Sequence, residues 1–149
     1  MPCVSTRGPR ESSPGAWDLQ VPVGEQADFA ALASALKLDP RAPREAMAAA
    51  SRHFSDNFEY SVYQEAGGVR ALGDFLNKTR SGHCEFFATA TVLLLRAAGI
   101  PARYAIGFSV QEYSRREGVH LLRQRHAHAW TLVWADGAWL ELDTTPASW

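Results

Sequence analysis

At 149 residues, with 46% hydrophobic and 21% charged residues, the chain has the length and balance of one globular domain with a substantial core. A formal net charge of -1 gives no general attraction to nucleic acid or to an anionic membrane surface, so neither is an expected partner. The longest apolar-to-small run, residues 86–95, is too short to cross a bilayer, and two cysteines, Cys3 and Cys84, do not make a disulfide framework.

Residues 1–16 mix Pro2, Pro9 and Pro14 with Gly8, Gly15, Ser and Arg, the composition of a flexible arm without an apolar signal stretch. The remainder, 17–149, reads as a single domain with no internal repeat. Both ends look cut, so the domain is expected to come from a longer chain. Residues 17–23 are expected to lie extended against the body, with Pro22 limiting them to an edge. A short Ala/Leu-rich helix is predicted over 27–38, stopped by Asp39-Pro40. A second runs from Pro43, which suits a first turn, to Asn57, with Met47, Ala50, Phe54 and Phe58 on one face. His53 in it reads as an ordinary helical histidine. Residues 58–63 lean to strand, Gly67-Gly68 marks a loop, and 69–77 form a short helical piece.

The stretch around which the rest is organised follows. After the Ser81-Gly82 turn signal, Phe87, Ala90, Leu94 and Ala97 recur at helical spacing, and Gly99 and Pro101 stop the helix. It should begin at about Cys84, where unpaired backbone N–H groups and the positive end of the helix dipole favour a thiolate. A thiol placed there by a glycine turn looks like a nucleophile rather than core filler.

Beyond Pro101 the pattern changes to strands, predicted at 103–110 and 119–125 around a polar loop, 114–118, whose arginines read as solvated. The strongest hairpin signal is Asp136-Gly137 between two β-leaning runs. A two-residue loop there pairs Ala135 with Ala138, so paired positions have numbers that sum to 273. His128 and Asp143 then share one face as diagonal neighbours, typically ~7–8 Å apart at the backbone and closer at their side chains. The bond between them is expected on the His Nδ1 side, with Cys84 near the other ring nitrogen. Trp130, Trp134 and Trp139 share that face, either as sheet core that shields the pair or as an apolar wall for a substrate.

Cys84, His128 and Asp143 supply the nucleophile, base and orienting acid that thiol-based acyl transfer needs. The oxyanion formed on attack needs preset donors. The Cys84 backbone N–H is one; Asn77, Tyr60 and Tyr63 are candidates for a second, from a side chain. The rival chemistry is a zinc site on Cys84, His126 and His128, with His83 or His120 in reserve, but no established ligand spacing supports it. No metal or cofactor is expected.

Four ordered motifs carry a resemblance. Gly82-His-Cys84-Glu-Phe-Phe-Ala, then Leu94-Leu-Arg-Ala-Ala-Gly-Ile-Pro-Ala-Arg103 with Gly107, then His126-Ala-His-Ala-Trp130, then Gly137-Ala-Trp139 with Asp143-Thr-Thr-Pro146, resemble the transglutaminase-like superfamily. The likeness runs from about Phe58 to the C-terminus and is strongest to bacterial members described as cysteine proteases and often attached to membrane spans. It implies an α+β, papain-like core: helices carrying the cysteine, packed on an antiparallel sheet carrying the histidine and acid. It also implies catalytic Cys84, His128 and Asp143, a protein or peptide substrate, and an extracytoplasmic location in a bacterial membrane protein. The acceptor stays open between an amine (transglutamination) and water (proteolysis or deamidation), and a non-catalytic interaction domain is the alternative of another class. Two positions depart from the family pattern: His126 stands where Asp often precedes Ala-His-Ala-Trp, and Asp143-Thr-Thr-Pro replaces the common Asp-Pro-Thr.

Overall fold

The structure, a computed structural model, describes residues 12–63, 71–108, 110, 112–121 and 126–146. Cys3 and most of the arm expected over 1–16 therefore lie outside the described residues.

Two 3-10 turns, Ala16–Leu19 and Val23–Glu25, open the described chain where an extended edge was expected. The reason is local: the Asp18 carboxylate accepts a hydrogen bond from the Gly15 N–H at 2.8 Å, curling the backbone before it can extend. Helix α1 (Gln26–Ala35) and helix α2 (Pro43–Asn57) follow, α2 at the limits its pattern predicted, with Pro43 at its first position. Strand β1 (Glu59–Tyr60), α3 (Ala71–Asp74) continuing into a π turn at Phe75–Thr79, and β2 (Ser81–Gly82) lead to α4 (Cys84–Ala97). Then come β3 (Ala102–Phe108), β4 (Glu112–Ser114), β5 (Val119–Leu121), β6 (Ala127–Ala135) and β7 (Ala138–Leu142).

The main sheet is antiparallel in the order β3-β6-β7, and α4 packs on it. Its β6–β7 hairpin has the register predicted from the loop: Ala135 pairs with Ala138, Trp134 with Trp139 and Thr131 with Leu142. Asp136 (φ 55°) and Gly137 (φ 77°) both sit in the left-handed region that such a tight hairpin turn requires. The strand predicted at 103–110 is present as β3, and the one predicted at 119–125 is present as β5 over 119–121, with 122–125 outside the described residues. Residues 112–114, not predicted as a strand, pair with 119–121 as a separate ribbon, turned by Gly118 at φ 67°.

The core has two parts. One, on the helical side, gathers Phe29, Phe54, Phe58, Phe75, Phe87 and Leu94; the other, between α4 and the sheet, holds Val92, Leu95, Ile100, Ala102, Val133 and Leu142. Helix α4 contributes to both, which is why its residues 90–95 are buried almost all round. The 12–19 segment lies across the sheet's far end. The Asp18 carboxylate takes two hydrogen bonds from the Arg103 guanidinium, at 2.8 and 3.0 Å. These bonds, chiefly, hold its carboxyl below the usual carboxylate range. Arg103 in turn stacks on Trp139 with 4.0 Å from guanidinium carbon to ring centre, and the Trp139 indole N–H donates to the Ser12 carbonyl at 3.0 Å.

Candidate active site

Cys84 is placed by the β1–β2 pair. These two short strands run parallel, with Glu59 beside Ser81 and Tyr60 beside Gly82, and the N–H groups of Glu59 and Ser61 donate to the Arg80 and Gly82 carbonyls at 2.9 and 2.8 Å. Packing at Gly82 is close: a Cβ there would lie 3.1 Å from the Phe86 Cβ and 3.2 Å from the Phe75 ring, so a side chain would press on both. His83 then adopts an extended conformation as the N-cap, without a side-chain cap bond, and the helix starts at Cys84. The thiol is half-buried. The helix behind it is fixed by the aromatic cluster: Phe87 lies 5.2 Å from Phe75 and 5.9 Å from Phe54, ring centre to ring centre, in edge-to-face contacts.

Along β6, His128 lies toward the end at which α4 begins, on the face opposite the one that carries Thr131. Thr131 on β6 donates its hydroxyl to the Ala88 carbonyl at 3.2 Å, and the Trp134 N–H donates to Pro101, just past the end of α4, at 3.0 Å. Helix α4 and β6 therefore run in the same direction. Cys84, one turn before Ala88, and His128, three residues before Thr131, are both displaced toward their starting ends.

His128 is 7% exposed, and its Nε2 lies 2.6 Å from the Asp143 carboxylate. The bond expected from the register is present, but on Nε2 rather than Nδ1. The diagonal relation explains this: Nε2, at the tip of the ring, reaches farther across the hairpin than Nδ1 next to the Cβ. The second carboxylate oxygen accepts the Thr145 N–H at 3.0 Å, so the acid is held at both oxygens. Burial pushes the Asp143 carboxyl up, yet the His128 and Thr145 hydrogen bonds outweigh it and hold the group below its ordinary range. It stays a carboxylate at any pH near neutrality.

A buried hydroxyl chain ties this acid's neighbour to the helix. Thr91 and Thr144 share a hydrogen bond of 2.7 Å, and Thr144 donates onward to the Phe87 carbonyl at 3.5 Å, so Thr91 is the donor between them. Thr144→Val is expected to lower stability by about 1–3 kcal/mol, because it strands the buried Thr91 hydroxyl. Adding Thr91→Val should recover much of that loss, since both partners are then apolar. Urea denaturation of the two single variants and the double variant checks this, and strictly additive losses would contradict it.

The tryptophans divide. Trp130 stacks on His128 (centres 6.2 Å apart, planes at 20°) and lies over Gly107, where a Cβ would come within 2.8 Å of the indole. Trp134 and Trp139 pack on each other at 5.3 Å, in the region that the 12–19 segment covers. Of the side chains considered as oxyanion donors, Asn77 spends an amide hydrogen on the Gly73 carbonyl at 3.1 Å, and Tyr63 is 82% exposed. Tyr60 lies beside Gly82, two residues before the thiol; partial burial and the neighbouring Cys84 both oppose its ionisation. Tyr104 on β3, which the sequence did not single out, is raised likewise by burial, then by Glu85 and Cys84. Two tyrosines, one from each half of the molecule, thus lie within the electrostatic reach of the thiol.

His126 is 3% exposed and meets Glu112 of β4 at 3.4 Å; His83 is 4.0 Å from Glu85, and His120 packs on Tyr113. Among the described residues no group of three or more His, Cys, Asp or Glu side chains is placed to hold a metal ion.

Residues 30–144 match the family model of the transglutaminase-like superfamily. The chain belongs to that superfamily. Within it, the chain is 36% identical over 130 residues to the protein-glutamine gamma-glutamyltransferase of Pseudomonas aeruginosa, an alignment that covers 86% of this chain and 20% of that protein. The periplasmic domain of TgpA from Pseudomonas aeruginosa, solved alone and bound to ethylmercury, superposes with a TM-score of 0.75 at 36% identity. That match covers 85% of this chain and 46% of the larger structure in its ethylmercury form. A solved transglutaminase at 19% identity shares the fold (TM-score 0.51, 84% of this chain and 32% of that one). The α+β transglutaminase core, with the cysteine helix on an antiparallel sheet, is thus the architecture of this transglutaminase-like domain. It spans about a fifth of the length of the Pseudomonas transferase.

Proposed function

We propose that this domain transfers the acyl group of a glutamine side-chain amide through a thioester on Cys84, with His128 as base and Asp143 as the acid that orients it. The observation that carries the proposal is the 2.6 Å His128–Asp143 bond; a half-buried Cys84 as the first residue of α4 supports it. With Nε2–H donating to the carboxylate, Nδ1, which is buried, is the nitrogen that takes the thiol proton. The thiolate adds to the amide carbon. The oxyanion is held by the Cys84 N–H at the helix start and by the Tyr60 hydroxyl, which stays protonated. The His128 proton then goes to the leaving nitrogen, the C–N bond breaks, and ammonia departs from a thioester. An amine attacking that thioester gives up a proton through His128, and the thiol is regenerated as the new amide forms.

The name of the Pseudomonas relative favours an amine as acceptor and a protein as donor. None of these steps calls for a cofactor. Among the described residues no helix is long and apolar enough to cross a membrane. Likeness to a periplasmic domain supports the reading that this is an extracytoplasmic part of a membrane protein.

The test is a glutamine-containing peptide incubated with the 149-residue chain, with and without a primary amine. Ammonia release and amine incorporation are both followed. Release that requires Cys84, with incorporation when amine is present, is the expected result. Release without incorporation would make water the acceptor. No release, or equal release by Cys84→Ala, would turn the reading to an interaction domain that keeps only the fold.

A further inference from the structure

Strand β3 is an edge strand: within the described residues it pairs with β6 on one side only. The pairing pattern fixes which of its backbone groups face outward. Pro101 and Trp134 form a hydrogen-bonded pair in register with the ladder, so Arg103, Ala105 and Gly107, at alternate positions, bond to β6. Ala102, Tyr104, Ile106 and Phe108 then turn their N–H and C=O groups to the open edge. The Ala102 carbonyl bears this out, since it accepts the Arg96 guanidinium at 2.9 Å. No backbone group among the described residues pairs with the outward groups of the other three.

The same residues carry an exposed apolar row. Tyr104 lies opposite Thr131, whose hydroxyl bonds to α4, so Tyr104, Ile106 and Phe108 project from the face on which α4 packs. Ala102 is fully buried beneath the helix, but Tyr104 is 41% exposed, Ile106 67% and Phe108 53%. Cys84, the first residue of that helix, lies within electrostatic reach of Tyr104. An edge that offers unpaired backbone and apolar side chains at once is normally blunted by charge, bulge or cover. The outer edge of β7 contributes no large exposed hydrophobic residue.

We propose that this edge is the docking site for the acyl donor, which binds as an extended polypeptide strand added to β3. Every second side chain would lie on its α4 face, along the row Tyr104–Ile106–Phe108 and toward Cys84. The substrate class is then a glutamine in an extended segment, with apolar residues two positions away along the strand. The alternation follows from the pleat, which sends every second side chain to one face. The proposal rests on the acyl-transfer reading for the identity of its ligand, but its test does not need turnover.

The test uses the 149-residue chain carrying Cys84→Ala and a fluorescein-labelled peptide with a central glutamine and apolar residues at every second flanking position. Ile106→Lys and Phe108→Ser, each exposed and apart from the proposed triad, should weaken binding by roughly tenfold or more. Methylating the peptide nitrogens that would face β3 should abolish binding, whereas methylating the alternate ones should leave it nearly unchanged. Equal binding by both methylated peptides, or binding that neither variant weakens, would overturn the proposal. So would failure of the unmodified peptide to bind, or a dimer in sedimentation that Ile106→Lys dissociates, because a second copy would then own the edge. Peptide that binds in register but is never turned over by the Cys84 chain would refute acyl transfer and leave the docking site standing.

Discussion

Asp143→Asn is expected to fold normally and to lose about 10³–10⁴-fold in kcat, with KM nearly unchanged, the scale seen when an acid that orients a triad histidine becomes an amide. The structure gives the loss a direction. Asp143 Oδ1 accepts the Thr145 N–H at 3.0 Å, so an asparagine keeps its carbonyl oxygen there and turns its amide hydrogens to His128. Nε2 must then accept rather than donate. The ring proton moves to Nδ1, the nitrogen assigned to take the thiol proton, and His128 is held in the tautomer that cannot act as base. Nitrogen NMR of the labelled imidazole should show the two ring positions exchanging roles, a signature that mere loosening of the hairpin would not produce. Full activity in Asp143→Asn would remove Asp143 from the proposed mechanism.

The sequence made the site's parts readable where local chemistry dominates. Pro43 and the 3.6-residue period set α2, the glycine turn set the start of α4, and Asp136-Gly137 set a hairpin register that carried His128 to Asp143 across fifteen residues. What was not readable depends on contacts between distant segments. The parallel β1–β2 pair joins Glu59 to Ser81 through backbone groups that leave no pattern in side chains. Residues 17–23 looked extended because the Gly15–Asp18 bond and the Arg103 pairing that curl and pin them are invisible to a periodicity count. The choice of Nε2 over Nδ1 turns on the ring's reach across the hairpin, not on which residues are present. Tyr104 was passed over for a similar reason: an alternating strand does not announce whether it lies at the centre or the edge of its sheet, and this tyrosine, on an edge strand, lies within electrostatic reach of the thiol.

Phe87→Ala should be the most damaging single change away from the reacting groups. The ring is fully buried, makes edge-to-face contacts with Phe54, Phe58 and Phe75, and sits one turn into α4, behind Cys84. Truncating a buried phenylalanine removes its transfer free energy and leaves a cavity, together about 3–5 kcal/mol. For a domain of this length that corresponds to a fall of roughly 10 °C in Tm. Phe87→Leu fills most of the space and loses mainly the aromatic contacts, so it should cost about 1–2 kcal/mol. The two effects on activity should separate from the two on stability. The Phe87 carbonyl receives the Thr144 hydroxyl, and Thr144 follows Asp143 directly. A first turn of α4 that relaxes into the cavity therefore shifts the thiol and the acid's anchor together. At a temperature where Phe87→Ala is still folded by circular dichroism, kcat should drop while Phe87→Leu stays close to the unmutated chain. A variant that loses stability on this scale but keeps full kcat would mean that the aromatic cluster holds the helical half together without setting the position of Cys84.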